Sequence, residues 1–406
     1  MKYAVLVGDG MADFPNPDLD NKTPLEVAKT PHLDAIAKMG ISGLTRTIPQ
    51  GLAPGSDVGI LSVLGYNPAE HYTGRAPLEA ASMGIVLADN EYALRCNLIT
   101  AEADTLIDYS AGHISSKEAK VLIEELDRKL ADSGIRFHAG VSYRHLLVVN
   151  KTKAPAYEAL DISQLRARPP HDITGGSISS NLPTGPGAEL IVSLMERSRA
   201  LLSAHDINTV RIDLGENPAN MIWLWGGGKR PHLPKFSEMH HIQGGLISAV
   251  DLVKGIGRLI NLDVLDVPGI TGYYDTDYDA KASYAIEKLR KADFIFVHLE
   301  SIDEAGHNKD LRQKIVAIEK FDRCIVGPIH EYLKKQGEYR IMVMSDHATP
   351  VSLGRHTEDP VPACICGSRI HADAVEVYSE TAAKEGSLVV EQANKLMDFL
   401  LVGTQS

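Results

Sequence analysis

MVMSDHATPVSLGRH, residues 342–356, decides how the chain is read. The apolar run Ile341-Met342-Val343-Met344 has the length and side chains of a buried strand. It breaks into Ser345-Asp346-His347, and His356 follows on the next loop. Open α/β sheets carry their chemistry just beyond the carboxyl ends of their strands. A carboxylate and an imidazole at that place are the donor pair that suits zinc or manganese.

Three other segments supply matching groups. Tyr3 to Val7 is a short β-rich run ending in Gly8-Asp9-Gly10. Asp9 there reads either as a turn residue between turn glycines or as a ligand at a strand end. The stretch DFIFVHL, Asp293 to Leu299, reads as another buried strand. Asp303 and His307 follow it, and their spacing of four puts both on one face of a helical turn. In PGSDVGILSVLG, Pro54 to Gly65, Ser56 opens an apolar helix whose face is Ile60, Leu61, Val63 and Leu64. Its hydroxyl suits an N-cap. It also stands where free N–H groups and the helix dipole attract phosphate; one residue can fill both roles. Asp9, Ser56, Asp303, His307, Asp346, His347 and His356 exceed the four donors of a tetrahedral ion. They fit two divalent ions roughly 4 Å apart, the arrangement for in-line displacement at phosphorus. A hydroxyl between two cations loses its proton readily and becomes a nucleophile.

The 406 residues suffice for about two or three domains. The strand-loop-helix alternation of an α/β fold lapses between about Asn90 and Gly215. Residues 1–89 and 216–406 therefore read as the metal-binding core, with helices on both faces of its sheet. Residues 90–215 read as a smaller inserted α/β domain that binds substrate. In the core, Thr30 and Pro31 start a helix that Gly40 stops, Ser42 to Ile48 reads as a strand, and Leu311 to Lys335 and Leu388 to Leu401 read as helices. In the insertion, the helices are Ser116 to Leu130 and Gly187 to Ala204, Leu146 to Val149 is a strand, and Leu165 to Pro186 is loop. Arg75, in a glycine-flanked loop, reads equally as an anion clamp or a salt-bridged surface residue. Lys229 closes the glycine-rich loop Gly226-Gly227-Gly228, which lacks the P-loop spacing but suits a phosphate contact. His240-His241 reads as a structural or exposed pair.

The formal net charge of -12 argues against nucleic acid as the main partner, because backbone phosphates would be repelled. Cys96, Cys324, Cys364 and Cys366 form no C-x-x-C pair and read as buried thiols. No apolar stretch approaches the roughly 20 residues that span a bilayer, and MKYAVLVGDG is no signal peptide. The expectation is a cytoplasmic protein without a membrane partner; the sequence leaves the oligomeric state open.

The set GDG-x-A-D, PGSD-x-x-x-LS-x-LGY, GR-x-P-x-E-A, D-x-x-GH and SDH…GRH, running from Gly8 to His356, resembles the cofactor-independent phosphoglycerate mutases. More closely, it resembles their archaeal-type branch in the alkaline phosphatase superfamily. The resemblance implies an alkaline-phosphatase-like core interrupted by a substrate-holding domain. It implies one metal held by Asp9, Ser56, Asp346 and His347, and a second held by Asp303, His307 and His356. The ions would be manganese, zinc or cobalt, and no 2,3-bisphosphoglycerate would be needed. Ser56 would be the phosphoserine nucleophile and His113 a substrate or acid/base histidine. Arg95, Arg144 and Lys229 would contact a small phosphorylated substrate, with Arg75 and His145 as further contacts. Ser56 would take the phosphoryl group from 3-phosphoglycerate, the glycerate would turn over, and its other hydroxyl would take the group back. Two alternatives share the metals and Ser56. One is a homoserine kinase-like phosphotransferase, whose branch GDGMAD and DYSAGHISS also resemble; the other is a metal-dependent phosphatase. A sulfatase is disfavoured, because Ser56-Asp57-Val58-Gly59 lacks the C/S-x-P-x-R pattern. A purely structural metal site would be closed and cysteine-rich, unlike this donor set.

Overall fold

The computed structural model describes residues 1–403. It divides into two compact units, Met1–Tyr72 with the chain from Leu233 onward, and Thr73–His232.

The first unit is built on a seven-stranded sheet of order β2-β12-β11-β1-β10-β8-β9. Its strands are β1 (Lys2–Gly8), β2 (Gly40–Thr45), β8 (Gly244–Ile247), β9 (Asp263–Val264), β10 (Phe294–Leu299), β11 (Tyr339–Met344) and β12 (Val361–Gly367). Parallel pairing joins β11, β1, β10, β8 and β9, while β12 runs antiparallel between β11 and β2. The central strands β1, β10 and β11 are apolar along almost their whole length and buried, as strands covered on both faces must be. Because they are parallel, their carboxyl ends lie along one edge, and Asp9, Glu300 and Ser345 follow them directly.

Two helical readings need correction. Leu311 to Lys335 is not one regular helix: α-helix Leu311–Lys320 passes through a π turn, Phe321–Val326, into α-helix Gly327–Lys335. The π turn lies just ahead of Pro328, whose missing N–H interrupts the α ladder. It turns Asp322 toward the helix Pro31–Met39, where its Oδ1 accepts from the N–H of His32 (3.0 Å) and Leu33 (2.7 Å). Thr30 makes no side-chain cap bond there, so a residue from far along the chain does the capping. Leu388 to Leu401 is helical only from Ala393 onward, over Ala393–Lys395 and Leu396–Val402. Upstream, the backbone runs beside β2: Leu388 N donates to Ser42 O at 3.0 Å, and Glu391 O accepts from Arg46 N at 2.9 Å.

The second unit has its own antiparallel sheet, β4-β3-β6-β5, with β7 on the free side of β3. These strands are β3 (Glu91–Glu102), β4 (Thr105–Asp108), β5 (Ile135–Val141), β6 (Arg144–Asn150) and β7 (Met221–Lys229). One face is covered by the helices Ser116–Leu130 and Ala188–Leu202, whose apolar sides join Leu94, Cys96, Leu98 and Leu147 in one core. On Ser116–Leu130, Ala119, Leu122, Ile123, Leu126 and Leu130 recur at helical spacing and are buried; each large one contributes about 1.5–3 kcal/mol by leaving water. The other face takes the short helix Arg75–Ser82, with Ala76 and Ala80 against Ala93, Leu146 and Val148.

That helix and β7 move the boundaries from the expected 89/90 and 215/216 to 72/73 and 232/233. The glycine-rich segment is likewise strand rather than loop, since Gly228 pairs with Ala93 and Lys229 with Tyr92 past a bulge. Glycine is needed there for close approach: a Cβ on Gly228 would lie 2.3 Å from Thr73 O. All four cysteines are free, and all but Cys324 are buried. Among the described residues, no helix is long and apolar enough to cross a membrane.

Candidate metal centre

At the carboxyl edge of the first unit's sheet, all seven expected donors converge. β1 delivers Asp9, β11 delivers Asp346 and His347, and the short helix Ser301–His307 after β10 carries Asp303 and His307. Ser56 is the first residue of the helix Ser56–Val63, with Gly55 at the N-cap position. Its Oγ lies 3.2 Å from His347 Nε2 and 3.5 Å from Asp9 Oδ1. His347 Nε2 lies 3.3 Å from Asp9 Oδ1 and 3.5 Å from Asp346 Oδ2. Next to this group, Asp303 stands 3.1 Å from His307 Nε2 and 3.5 Å from His356 Nε2. Gly10 permits the crowding: its φ is +59°, and a Cβ there would sit against the Asp303 carboxylate.

The imidazoles are oriented from outside. His307 Nδ1 faces Gly354 O at 3.1 Å, His356 Nδ1 faces Pro54 O at 3.3 Å, and His347 Nδ1 lies 3.2 Å from Thr349 Oγ1. A carbonyl only accepts, so Nδ1 of His307 and His356 carries the proton and Nε2 points inward, as metal-bound histidines are commonly held. His307 Nε2 and His356 Nε2 are 2.8 Å apart. A proton or a cation must lie between them, because two bare lone pairs at that distance would repel. Asp346 Oδ1 accepts from the N–H groups of Gly10 and His347, whereas its Oδ2 is buried without a hydrogen-bond partner. The donor set, the convergence and the unmatched oxygen all fit divalent cations.

Charge is tightly balanced here. Burial, then the charges of Asp346 and Asp303, push the Asp9 carboxyl well above its ordinary range. Burial acts most strongly on Asp346, but His347 and His298 beside it together outweigh that and hold it at about 2. Burial keeps His347 down at about 4, so its ring is neutral at pH 7 with a lone pair to give. Against burial, hydrogen bonds from His307 and His356 hold Asp303 well below the usual carboxylate range.

The sequence reading missed four residues that stand behind this centre. His298, the penultimate residue of β10, is fully buried with Nε2 3.2 Å from Asp9 Oδ2 and 3.9 Å from Asp346 Oδ2. Its Nδ1 faces Glu300 Oε1 (3.3 Å) and Ser248 Oγ (3.2 Å). Lys281 Nζ donates to Glu300 Oε2 at 2.6 Å and to His298 O at 2.7 Å. A signal was present: His298 is the one polar residue in the run FIFVHL, placed at the strand's chemical end.

The second unit gathers cations and rings. Along β3, β6 and β7, Arg95 pairs with Trp225 and Leu146, and Asn97 pairs with Trp223 and Arg144. Directly opposed residues share a sheet face, so Arg95, Arg144 and Trp225 face the same way. The Arg95 guanidinium stacks 4.3 Å over Trp225, and its Nε donates to Glu79 at 3.0 Å. Burial lowers the Arg95 pKa, and the neighbouring charges of Arg75 and Arg144 lower it further against Glu79. His113, Tyr143, Tyr109, His171 and Trp225 continue the patch through edge-on ring contacts of 5.7 to 6.0 Å. Two expected substrate contacts do not join it. His145 opposes Cys96 on the other face and is buried, its Nδ1 accepting from Gly140 N–H. Alternation along β6 puts neighbouring residues on opposite faces, which separates it from Arg144. Lys229 is exposed at the far end of β7, opposite Tyr92.

The family model for 2,3-bisphosphoglycerate-independent phosphoglycerate mutase matches residues 37–208, and that for type I phosphodiesterase / nucleotide pyrophosphatase matches residues 255–361. The 2,3-bisphosphoglycerate-independent phosphoglycerate mutase of Methanosarcina mazei is 47% identical over 403 residues, covering 99% of this chain and 100% of that one. The second such enzyme of Methanothermobacter thermautotrophicus is also 47% identical, covering 99% and 97%. Among solved structures, the PH0037 protein from Pyrococcus horikoshii superposes with a TM-score of 0.82 at 27% identity, over 100% of this chain and 98% of that one. The cofactor-independent phosphoglycerate mutase from Thermoplasma acidophilum does so with a TM-score of 0.67 at 27% identity, over the whole of both chains. With nearly half of its residues shared end to end with such relatives, the chain belongs to the 2,3-bisphosphoglycerate-independent phosphoglycerate mutase family.

Proposed function

We propose that this protein is a metal-dependent phosphoglycerate mutase, an isomerase that interconverts 3- and 2-phosphoglycerate through a phosphoserine at Ser56. The observation that carries this reading is the meeting of Asp9, Ser56, Asp303, His307, Asp346, His347 and His356 at one sheet edge. Asp9, Ser56, Asp346 and His347 would hold one divalent ion, and Asp303, His307 and His356 the other; oxygen and imidazole donors suit manganese, zinc or cobalt. Bound there, the ions would supply the positive charge that acidifies the Ser56 hydroxyl and offsets charge on the transferring phosphoryl group.

The chain's own residues do the rest. Ser56 Oγ bonds to phosphorus as the bond to the substrate's C3 oxygen breaks, and the freed hydroxyl takes a proton. The C2 hydroxyl then attacks the phosphoserine, loses its proton and regenerates Ser56. The guanidinium-and-ring face of the second unit suits the glycerate carboxylate, with Arg95 preset by Glu79 and Trp225 for planar recognition. His113 would hold or move a proton at the substrate hydroxyls.

The test is an assay of metal-loaded protein with 3-phosphoglycerate, with homoserine plus ATP, and with a generic phosphate ester. The expected result is 2-phosphoglycerate without added 2,3-bisphosphoglycerate and without free phosphate. Phosphohomoserine or free phosphate as the main product would overturn it.

A further inference from the structure

We infer that His298 is itself a metal ligand, adding an imidazole to the ion that Asp9 and Asp346 would hold. The inference rests on the two-ion reading above. His298 Nε2 is 3.2 Å from Asp9 Oδ2 and 3.9 Å from Asp346 Oδ2, and these three side chains converge as a cation-binding group in the interior. At 3.2 Å a ring nitrogen ordinarily hydrogen-bonds a carboxylate. Here it does not: His298 Nε2 and Asp346 Oδ2 are both buried without a hydrogen-bond partner. A proton on Nε2 would need to point at one carboxylate oxygen, whereas a cation takes lone pairs from all three side chains at a common centre. Donors about 2.0–2.2 Å from an ion stand roughly 3–4 Å from each other, which is the spacing found.

The surroundings fix the ring for this task. Glu300 Oε1 accepts from Ser248 Oγ (2.8 Å) and Ala249 N–H (2.6 Å) and faces His298 Nδ1, while Lys281 secures Oε2. A carboxylate on Nδ1–H leaves the Nε2 lone pair free and makes it more basic, the outer partner that ligating histidines usually have. Lys281 is fully buried and balances the Glu300 charge. His298 and Glu300 thus extend the site beyond Asp9, whose Oδ2 faces His298 while Oδ1 faces Ser56.

The test uses the full chain loaded with Zn(II), with metal content measured after gel filtration and affinity by chelator competition. Wild-type protein is expected to hold two ions. His298→Gln should keep one at wild-type affinity and bind the other at least about 100-fold more weakly. Glu300→Gln, which changes the partner on Nδ1 and also unpairs Lys281, should weaken the same ion about 10-fold. A His298→Gln protein holding both ions with unchanged affinity overturns the inference. A crystal structure of Zn(II)-loaded wild-type protein decides it even if the variants fail to fold: Nε2 within about 2.0–2.2 Å of an ion is expected, and an Nε2 outside coordination distance overturns it. Wild-type protein with no ion at Asp9 and Asp346 sinks the two-ion reading as well, so the two failures are distinguishable.

Discussion

At the metal centre of the first unit Asp9, Asp346 and His347 stand just past the ends of strands; in the second unit Arg95, Asn97 and His145 stand along them. Asp9, Asp346 and His347 follow β1 and β11 directly, where the ladder has stopped and turn N–H groups are available. Each keeps an atom pointed at its neighbours rather than at a private partner. Arg95, Asn97 and His145 sit within the antiparallel ladder, and each has one matched partner: Glu79, Trp225 and the Gly140 N–H. Strand ends therefore collect lone pairs that want a cation. The ladder instead displays preset guanidinium groups that want an anion.

Four experiments can break or sharpen that contrast. The largest effect is expected from Ser56→Ala, which should lower kcat at least about 10⁴-fold and abolish phosphate trapped on the protein. Retained turnover in a folded variant would detach the chemistry from the strand ends. Asp303→Asn should weaken one ion more than about 100-fold, read by metal analysis, with loss of activity to match. Arg95→Met should lower kcat/KM about 10- to 100-fold while leaving metal content unchanged. Arg95→Lys should not rescue it, since an ammonium cannot both stack on Trp225 and fork to an anion. Metal loss in either Arg95 variant would erase the division of labour.

The smallest effect concerns stability. Burial holds His145 at about 3, so the folded ring stays neutral while the unfolded one protonates near 6.5. Between those values the unfolded state binds more protons, so stability falls as pH falls. From pH 7 to pH 5 the loss from this residue is about 2 kcal/mol. Thermal melts at the two pH values should show it, and His145→Gln should flatten the dependence; an equal slope in the variant would assign it elsewhere.

What the sequence disclosed follows the same contrast. Strand-end ligands announce themselves, because an apolar run that breaks into Ser-Asp-His or Gly-Asp-Gly is a local signal. Asp303 and His307 were legible by helical spacing alone. His298 carried a weaker signal, one polar residue near the end of an apolar strand, whose meaning depends on Asp9 and Asp346 arriving from other strands. The second unit was harder. Its boundary at Thr73 is set by Ala76 and Ala80 packing on Ala93, a contact no local pattern reveals. Gly226 to Lys229 looks like a loop until its pairing with β3 is known. His145 looked like Arg144's companion because they adjoin in sequence; pleating sends them to opposite faces.

Strand β1 has one further consequence. It lies between β10 and β11, so the first strand to leave the ribosome must wait nearly three hundred residues for either neighbour. The second unit has every strand of its sheet in one uninterrupted run and can close first. Synthesis order and assembly order are thus reversed for the catalytic half, which leaves its apolar leading strand unpartnered longest. Protease digestion of ribosome-stalled chains of increasing length should protect residues 73–232 before β1; the opposite order would refute it.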